Sequence, residues 1–132
     1  MVDKNLFLNL FRSKPGTNYS QGQVIVQAGT VGQSMFVVLE GEVEIRIADR
    51  VVDDIGPGSI FGEMALIDDA PRSATVIAKT DCKLVEVDRR RFEFMVSETP
   101  YFALAVMRVM ADRLRKANTR VGGPQETLTL TH

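Results

Sequence analysis

The apolar positions of this chain change period twice. Between Asp3 and Phe11, Leu6 and Leu10 recur at i, i+4, as do Phe7 and Phe11. That spacing predicts a short amphipathic helix, ended by Pro15-Gly16. From about Gly22 to Asp88 the pattern becomes short runs rich in Val and Ile, partly alternating with polar residues: QVIVQ, MFVVLE, EVEIRI, RVVDDI and KLVEVD. Glycines 22, 29, 32, 41, 56 and 58 punctuate them. Short strands at that spacing predict an antiparallel barrel or jelly roll. Gly41, between VVLE and EVEI, reads as a tight hairpin turn, where positive φ costs glycine little.

After Asp88 the helical period returns. Asp88 is placed to cap a short helix that stops before Pro100. Pro100 suits the first turn of a long helix, where its missing N–H is not needed, running from Tyr101 to about Arg120 and closed by Gly122-Gly123-Pro124. The fold class is mainly β with flanking α: a jelly-roll β-barrel over about 20–88, an N-terminal helix, and C-terminal helices over about 89–121. These make one domain, 1–121, with a flexible tail at 122–132. Along the long helix Ala103, Met107, Met110, Leu114, Ala117 and Val121 form an a/d stripe. Phe102, Val106 and Val109 widen it in the first half, which predicts packing on the barrel. Beyond Leu114 only the narrow seam survives among Arg113, Arg115, Lys116, Asn118 and Arg120, so the second half is expected to project. Such a helix covers a ligand or pairs with a twin. It is otherwise an ordinary amphipathic helix whose basic end complements its dipole.

Charge and composition remove whole classes of chemistry. The net charge of −1 gives no global attraction to nucleic acid or an anionic membrane. No window approaches the roughly 18 apolar residues of a membrane span. The N-terminal segment lacks the apolar core and cleavage site of a signal peptide. With Cys82 as its single cysteine the chain forms no internal disulfide, which fits a reducing compartment and predicts a cytoplasmic protein. The single histidine is His132, the last residue, so a Ser-His-Asp device or a His/Cys zinc site is not expected. Carboxylate-pair catalysis is not excluded by the 17 acids, but no motif points to it.

The informative stretch is Phe61 to Val76, FGEMALIDDAPRSATV. Glycines 56, 58 and 62 are spaced one residue too long for a dinucleotide fingerprint and lie in no βαβ unit. Instead GEMALI predicts a short helix starting near Gly62, inserted between strands. Helix N-termini expose unpaired N–H groups to anions, and glycine lets a ligand approach the backbone. Ten residues on, Arg72 offers a planar fork of donors suited to phosphate, beside the small residues Ser73 and Ala74. The acids Asp53, Asp54, Glu63, Asp68 and Asp69 oppose long-range steering of an anion, which favours a fixed, buried contact. Glu63 suits a hydroxyl rather than a phosphate, as carboxylates do on riboses. Phosphate plus ribose is a nucleotide. Against this stands a simple loop pairing of Arg72 with Asp68 or Asp69, with Glu63 solvated.

The residues from Phe61 to Thr75 closely resemble the phosphate-binding cassette of the cyclic nucleotide-binding domain family, F-G-E-[LM]-[AS]-L followed after a spacer by P-R-[AST]-A-[TS]. The run from Gly22 to Ile45 is similar to that family's early strands, and the resemblance extends over about Leu6 to Arg120. It implies a small jelly-roll barrel with helices at both ends. It also implies that Glu63 holds a ribose 2′-hydroxyl, that Arg72 holds a cyclic phosphate, and that Gly62, Ser73 and Ala74 add backbone or hydroxyl contacts. Phe61, Met64 and Ala65 complete the cassette, and Asn118 lies where the long helix of bacterial sensors meets adenine. Bacterial cAMP sensors of that family often carry serine at the position of Ser73, so the resemblance implies cAMP, with cGMP as the alternative.

Those bacterial regulators continue into a winged helix-turn-helix, for which this chain shows no recognition helix, so no nucleic-acid partner is expected. A stand-alone receptor signalling through its C-terminal helix to a downstream protein is one expectation. A sensory domain of a larger regulator or channel is the second. A cyclic nucleotide-hydrolysing enzyme is the third and is disfavoured, because hydrolysis needs a metal or a positioned base. No membrane insertion is expected, and a homodimer through the C-terminal helix is a further candidate assembly.

Overall fold

A computed structural model describes residues 4–121, so the tail expected over 122–132 lies outside the described residues. The N-terminal helix α1 spans Lys4–Phe11. The strands are β1 (Thr17–Tyr19), β2 (Val24–Val26), β3 (Ser34–Glu40), β4 (Val43–Ile47), β5 (Arg50–Ile55) and β6 (Ile60–Phe61), then β7 (Thr75–Ala78) and β8 (Cys82–Asp88). A short helix, α2 (Met64–Ile67), interrupts them between β6 and β7, and α3 (Arg89–Glu98) and α4 (Pro100–Val121) follow. The strands form two four-stranded sheets, ordered β1-β8-β3-β6 and β2-β7-β4-β5, and every pairing is antiparallel. This is a jelly roll with flanking helices.

The strand sequences explain the layering. β3 reads SMFVVLE and is buried along most of its length. Successive side chains of a strand point to opposite faces. Phe36 and Val38 therefore fill the space between the sheets with Ile45, Phe61, Val76 and Leu84. Met35 and Val37 face the other way, into a second core with Phe7, Phe11, Val85 and Phe102. A strand covered on both faces has to be apolar throughout, which is why this run does not alternate. β4, covered on one face, does alternate: Val43 and Ile45 are buried, while Glu44 and Arg46 pair with each other outside at 2.6 Å.

Two expectations from the sequence are corrected here. Gly41 does not turn a hairpin. It carries the chain from β3 in one sheet to β4 in the other, with φ of +83° and its Cα close against the Asp81 carbonyl, where a Cβ would collide. The hairpin lies one strand later, where Ile47 pairs with Arg50 across Ala48-Asp49. Both turn residues have positive φ, 52° and 64°, as in the two-residue turns that match strand twist. Ala48 has no conformational signature for such a turn, so sequence alone does not flag it. The second correction concerns α4. Its barrel-facing side is Phe102, Ala105, Val106 and Val109, whereas Met107 of the a/d stripe is 56% exposed.

The helix boundaries follow local signals closely. The Asp88 side chain accepts a hydrogen bond from the Arg91 amide at 2.8 Å, capping α3 as expected, and Pro100 opens α4. Phe102 then sits among the rings of Phe7, Phe11 and Phe92, with centroids 6.2, 6.1 and 5.7 Å away. This aromatic cluster joins the first helix to the last two. Replacing Phe102 with Ala should destabilise the unliganded protein by about 3–5 kcal/mol, read as a shifted midpoint in urea unfolding. A loss below about 1 kcal/mol would contradict this account of the helical layer.

Candidate functional site

The site is built in the loop that leaves one sheet at β6 and enters the other at β7. Phe61 ends β6 and stacks on Phe36, with centroids 5.0 Å apart and planes inclined by 13°. Gly62 follows with φ of +83°. The short helix expected at Gly62 therefore begins two residues later, at Met64, with Glu63 as its N-cap residue. The Glu63 side chain makes no capping bond. It is fully buried, and both carboxylate oxygens accept from Nη1 of Arg113 on α4, at 3.0 and 3.1 Å. Nη2 of Arg113 donates to the Ile60 carbonyl. The pair thus ties the long helix to the end of β6 and the start of the cassette.

Arg72 is fixed at both backbone and side chain. Its N–H donates to the Thr30 carbonyl at 2.8 Å, and its own carbonyl accepts from Gly29 N–H at 2.7 Å. The guanidinium donates through Nη1 to the Gly62 carbonyl at 3.0 Å and through Nη2 to the Ser34 carbonyl at 2.7 Å. It also lies over the Phe36 ring, 5.9 Å from its centroid. A Cβ on Gly32 or Gly62 would strike the guanidinium, so two glycines make the room it occupies. The loop pairing with the neighbouring acids does not form: Asp68 accepts from the Ala70 amide and Asp69 binds Arg89. Burial lowers the Arg72 pKa from its ordinary value, and Glu86 and Glu63 oppose that shift. Glu86 sits nearby on β8, accepting from the Ser34 hydroxyl at 2.6 Å.

A shallow cleft, open to solvent along part of its length, lies over this loop. It is lined by Phe61, Gly62, Met64, Ala65, Arg72, Ser73 and Ala74, all expected from the sequence, and by Val26, Ala70, Pro71 and Val76, which were not. Its walls are apolar and small, and Arg72 is the charged side chain among its described lining residues. An apolar slot with one guanidinium suits a flat organic anion. Glu63 lies behind the lining, engaged by Arg113, and Asn118 is exposed on α4 and does not line the cleft. Arg113 itself, read from the sequence only as one of the residues around the narrow seam, is 8% exposed. Its position was readable in one respect: it continues the face of Phe102, Val106 and Val109 at i+11, i+7 and i+4.

Comparison with known proteins agrees with this geometry. The cyclic nucleotide-binding domain family matches residues 17–99. A cAMP-dependent protein kinase regulatory subunit of Eremothecium gossypii is 40% identical over 89 residues, 67% of this chain and 19% of that protein. A cyclic nucleotide-gated potassium channel of Rhizobium etli is 38% identical over 105 residues, 80% of this chain and 28% of that protein. Among solved structures, the Thermus thermophilus catabolite activator protein superposes with a TM-score of 0.76 at 31% identity, covering 89% of this chain and 56% of that one. The chain belongs to the cyclic nucleotide-binding domain family. It spans 19% and 28% of the length of the two curated relatives. Among the described residues no helix is long and apolar enough to cross a membrane.

The buried Glu63–Arg113 pair generates a prediction. Removing one partner of such a pair leaves an uncompensated buried charge, which costs about 3–5 kcal/mol. Arg113→Met should destabilise the unliganded protein on that scale, and Arg113→Met with Glu63→Gln should recover much of the loss in chemical unfolding. Equal stability of the single and double variants would show that the charge on Glu63 is not what Arg113 answers.

Proposed function

We propose that this chain is a cyclic nucleotide receptor module that takes cAMP, with cGMP as the second candidate, in the cleft between α2 and β7. The observation that carries the reading is Arg72, a rigidly seated guanidinium in an otherwise apolar cleft bordered by Gly62, Ser73 and Ala74. In this reading the cyclic phosphate meets Arg72 and the amides about Ser73 and Ala74. The purine lies along the apolar wall of Val26 and Val76. Glu63 is fully buried behind the cleft lining, so the ribose 2′-hydroxyl reaches its carboxylate, which has acceptor capacity beyond its bonds to Arg113, only once the cassette or α4 shifts. The names of the relatives, a cAMP-dependent kinase subunit and cyclic nucleotide-gated channels, support the ligand class.

Glu63 is also where ligand and α4 meet. A hydroxyl arriving at this carboxylate alters the partner that holds the long helix, so α4 is the element through which binding signals to a downstream protein. Asn118 would meet the base only after α4 repositions, or from the α4 of a second chain paired through the stripe of Met107, Met110 and Leu114. We place the module in the cytoplasm on its lone, buried thiol at Cys82. A second reading, a sensory domain of a larger regulator or channel, is favoured by the small share of each curated relative that the chain spans.

The test is ligand-induced stabilisation. At a hundredfold excess over Kd, cAMP should stabilise the fold by about 2.7 kcal/mol, and Arg72→Leu should lose most of that increment. The comparison is each protein's own shift, because Arg72 also serves two carbonyls in the unliganded state. An undiminished shift in the variant would remove Arg72 as the anchor. A parallel cGMP titration ranks the ligands. Chromatography of the cAMP after incubation should return it intact, and accumulation of AMP would make the protein a hydrolase instead.

A further inference from the structure

Arg89 lines no part of the cleft, yet it grips the element that forms one of the cleft walls. It is the first residue of α3, next to the capping Asp88. Its Nη1 donates to the Leu66 carbonyl at 3.0 Å, and its Nη2 donates to the Ala65 carbonyl at 3.3 Å and to the Asp69 carboxylate. α2 consists of the four residues Met64–Ile67. Isolated helices shorter than about 12–15 residues are marginal in water, so α2 depends on what holds it. The last carbonyls of a helix have no partner within it and form the negative end of its dipole. A planar guanidinium can answer two of them and a carboxylate at once, which a single ammonium cannot do with the same geometry.

The placement is specific. Ala65 lines the cleft and gives its carbonyl to Arg89. Asp69, the acid in this grip, sits in the left-handed region at φ of 58°, closing the loop that returns towards Arg72. At the other end of the cassette, Glu63 is held by Arg113. The cassette is thus fastened at its start to α4 and at its end to α3, by two arginines outside the cleft lining that sequence reasoning had not singled out as site residues. We propose that Arg89 is a positioning residue for the ligand: by clamping the C-terminal end of α2 it sets where Gly62, Met64 and Ala65 stand relative to the bound nucleotide. This rests on the nucleotide reading of the cleft given above. The competing account is that Arg89 merely adds stability to the domain as a whole.

Calorimetric titration with cAMP, paired with amide hydrogen exchange on the unliganded proteins, separates the two. Losing hydrogen bonds to a charged donor weakens an interaction by about tenfold or more, so Arg89→Met should bind cAMP about tenfold more weakly. The amides of 64–67 should exchange faster in that variant, with β3 and β8 unchanged, and Arg89→Lys should fall between it and the parent in both measurements. Parental affinity in Arg89→Met, or faster exchange spread equally over β3 and β8, overturns the proposal. If Arg89→Met does not fold, Arg89→Lys decides: weakened binding with local loss of protection supports it, and parental behaviour overturns it. Should the parent protein bind neither cyclic nucleotide, the reading of the cleft fails. The exchange at 64–67 in the unliganded variants then still shows whether Arg89 holds α2.

Discussion

A carboxylate with no water around it needs a cation beside it, and Glu63 is fully buried. That requirement organises the molecule more than any other single contact. Arg113 has to come from α4, so α4 has to lie across the barrel with the face of Phe102, Val106 and Val109 against sheet β1-β8-β3-β6. The apolar part of that face drives the association, at about 25 cal/mol per Å² of surface withdrawn from water. The ion pair contributes direction rather than net energy, because desolvating two charges offsets much of their attraction. Hydrophobic burial brings the helix to the barrel, and the guanidinium fixes its register there.

The same division of labour holds in the cleft. Apolar residues of β2 and β7 shape it, while the polar groups beneath fix one charge in place. Arg72 is held by two main-chain carbonyls rather than by an acid. Carbonyls are dipoles, so they orient the guanidinium without neutralising it, and its positive charge stays available to an anion. Pairing with Asp68 or Asp69 would have quenched it. The loop avoids this by spending Asp69 on Arg89 and turning Asp68 to the Ala70 amide.

What could be read from the sequence followed from how far apart the interacting residues lie. Helix limits were legible because their signals are adjacent: the Asp88 cap, Pro100 at the start of α4, and the i, i+4 pairs of α1. The cassette could be nominated as a unit because Phe61 to Ala74 is contiguous, and seven of the nominated residues line the cleft. Sheet topology was not, since Gly41 looks the same whether it turns a hairpin or crosses between sheets. Strands as short as β1 and β6 show no period at all. The partners of the site were also out of reach: Arg113 is 50 positions from Glu63, and Ser34 is 38 from Arg72. Position along the chain carries no trace of such pairings, and only the buried side of α4 offered a hint.

The cassette joins β6, the outermost strand of one sheet, to β7, an inner strand of the other. Any occupant of the cleft consequently leans on both halves of the sandwich at once, like a dowel set across a seam. The loop between β6 and β7 is therefore both a wall of the cleft and a strap between the two sheets.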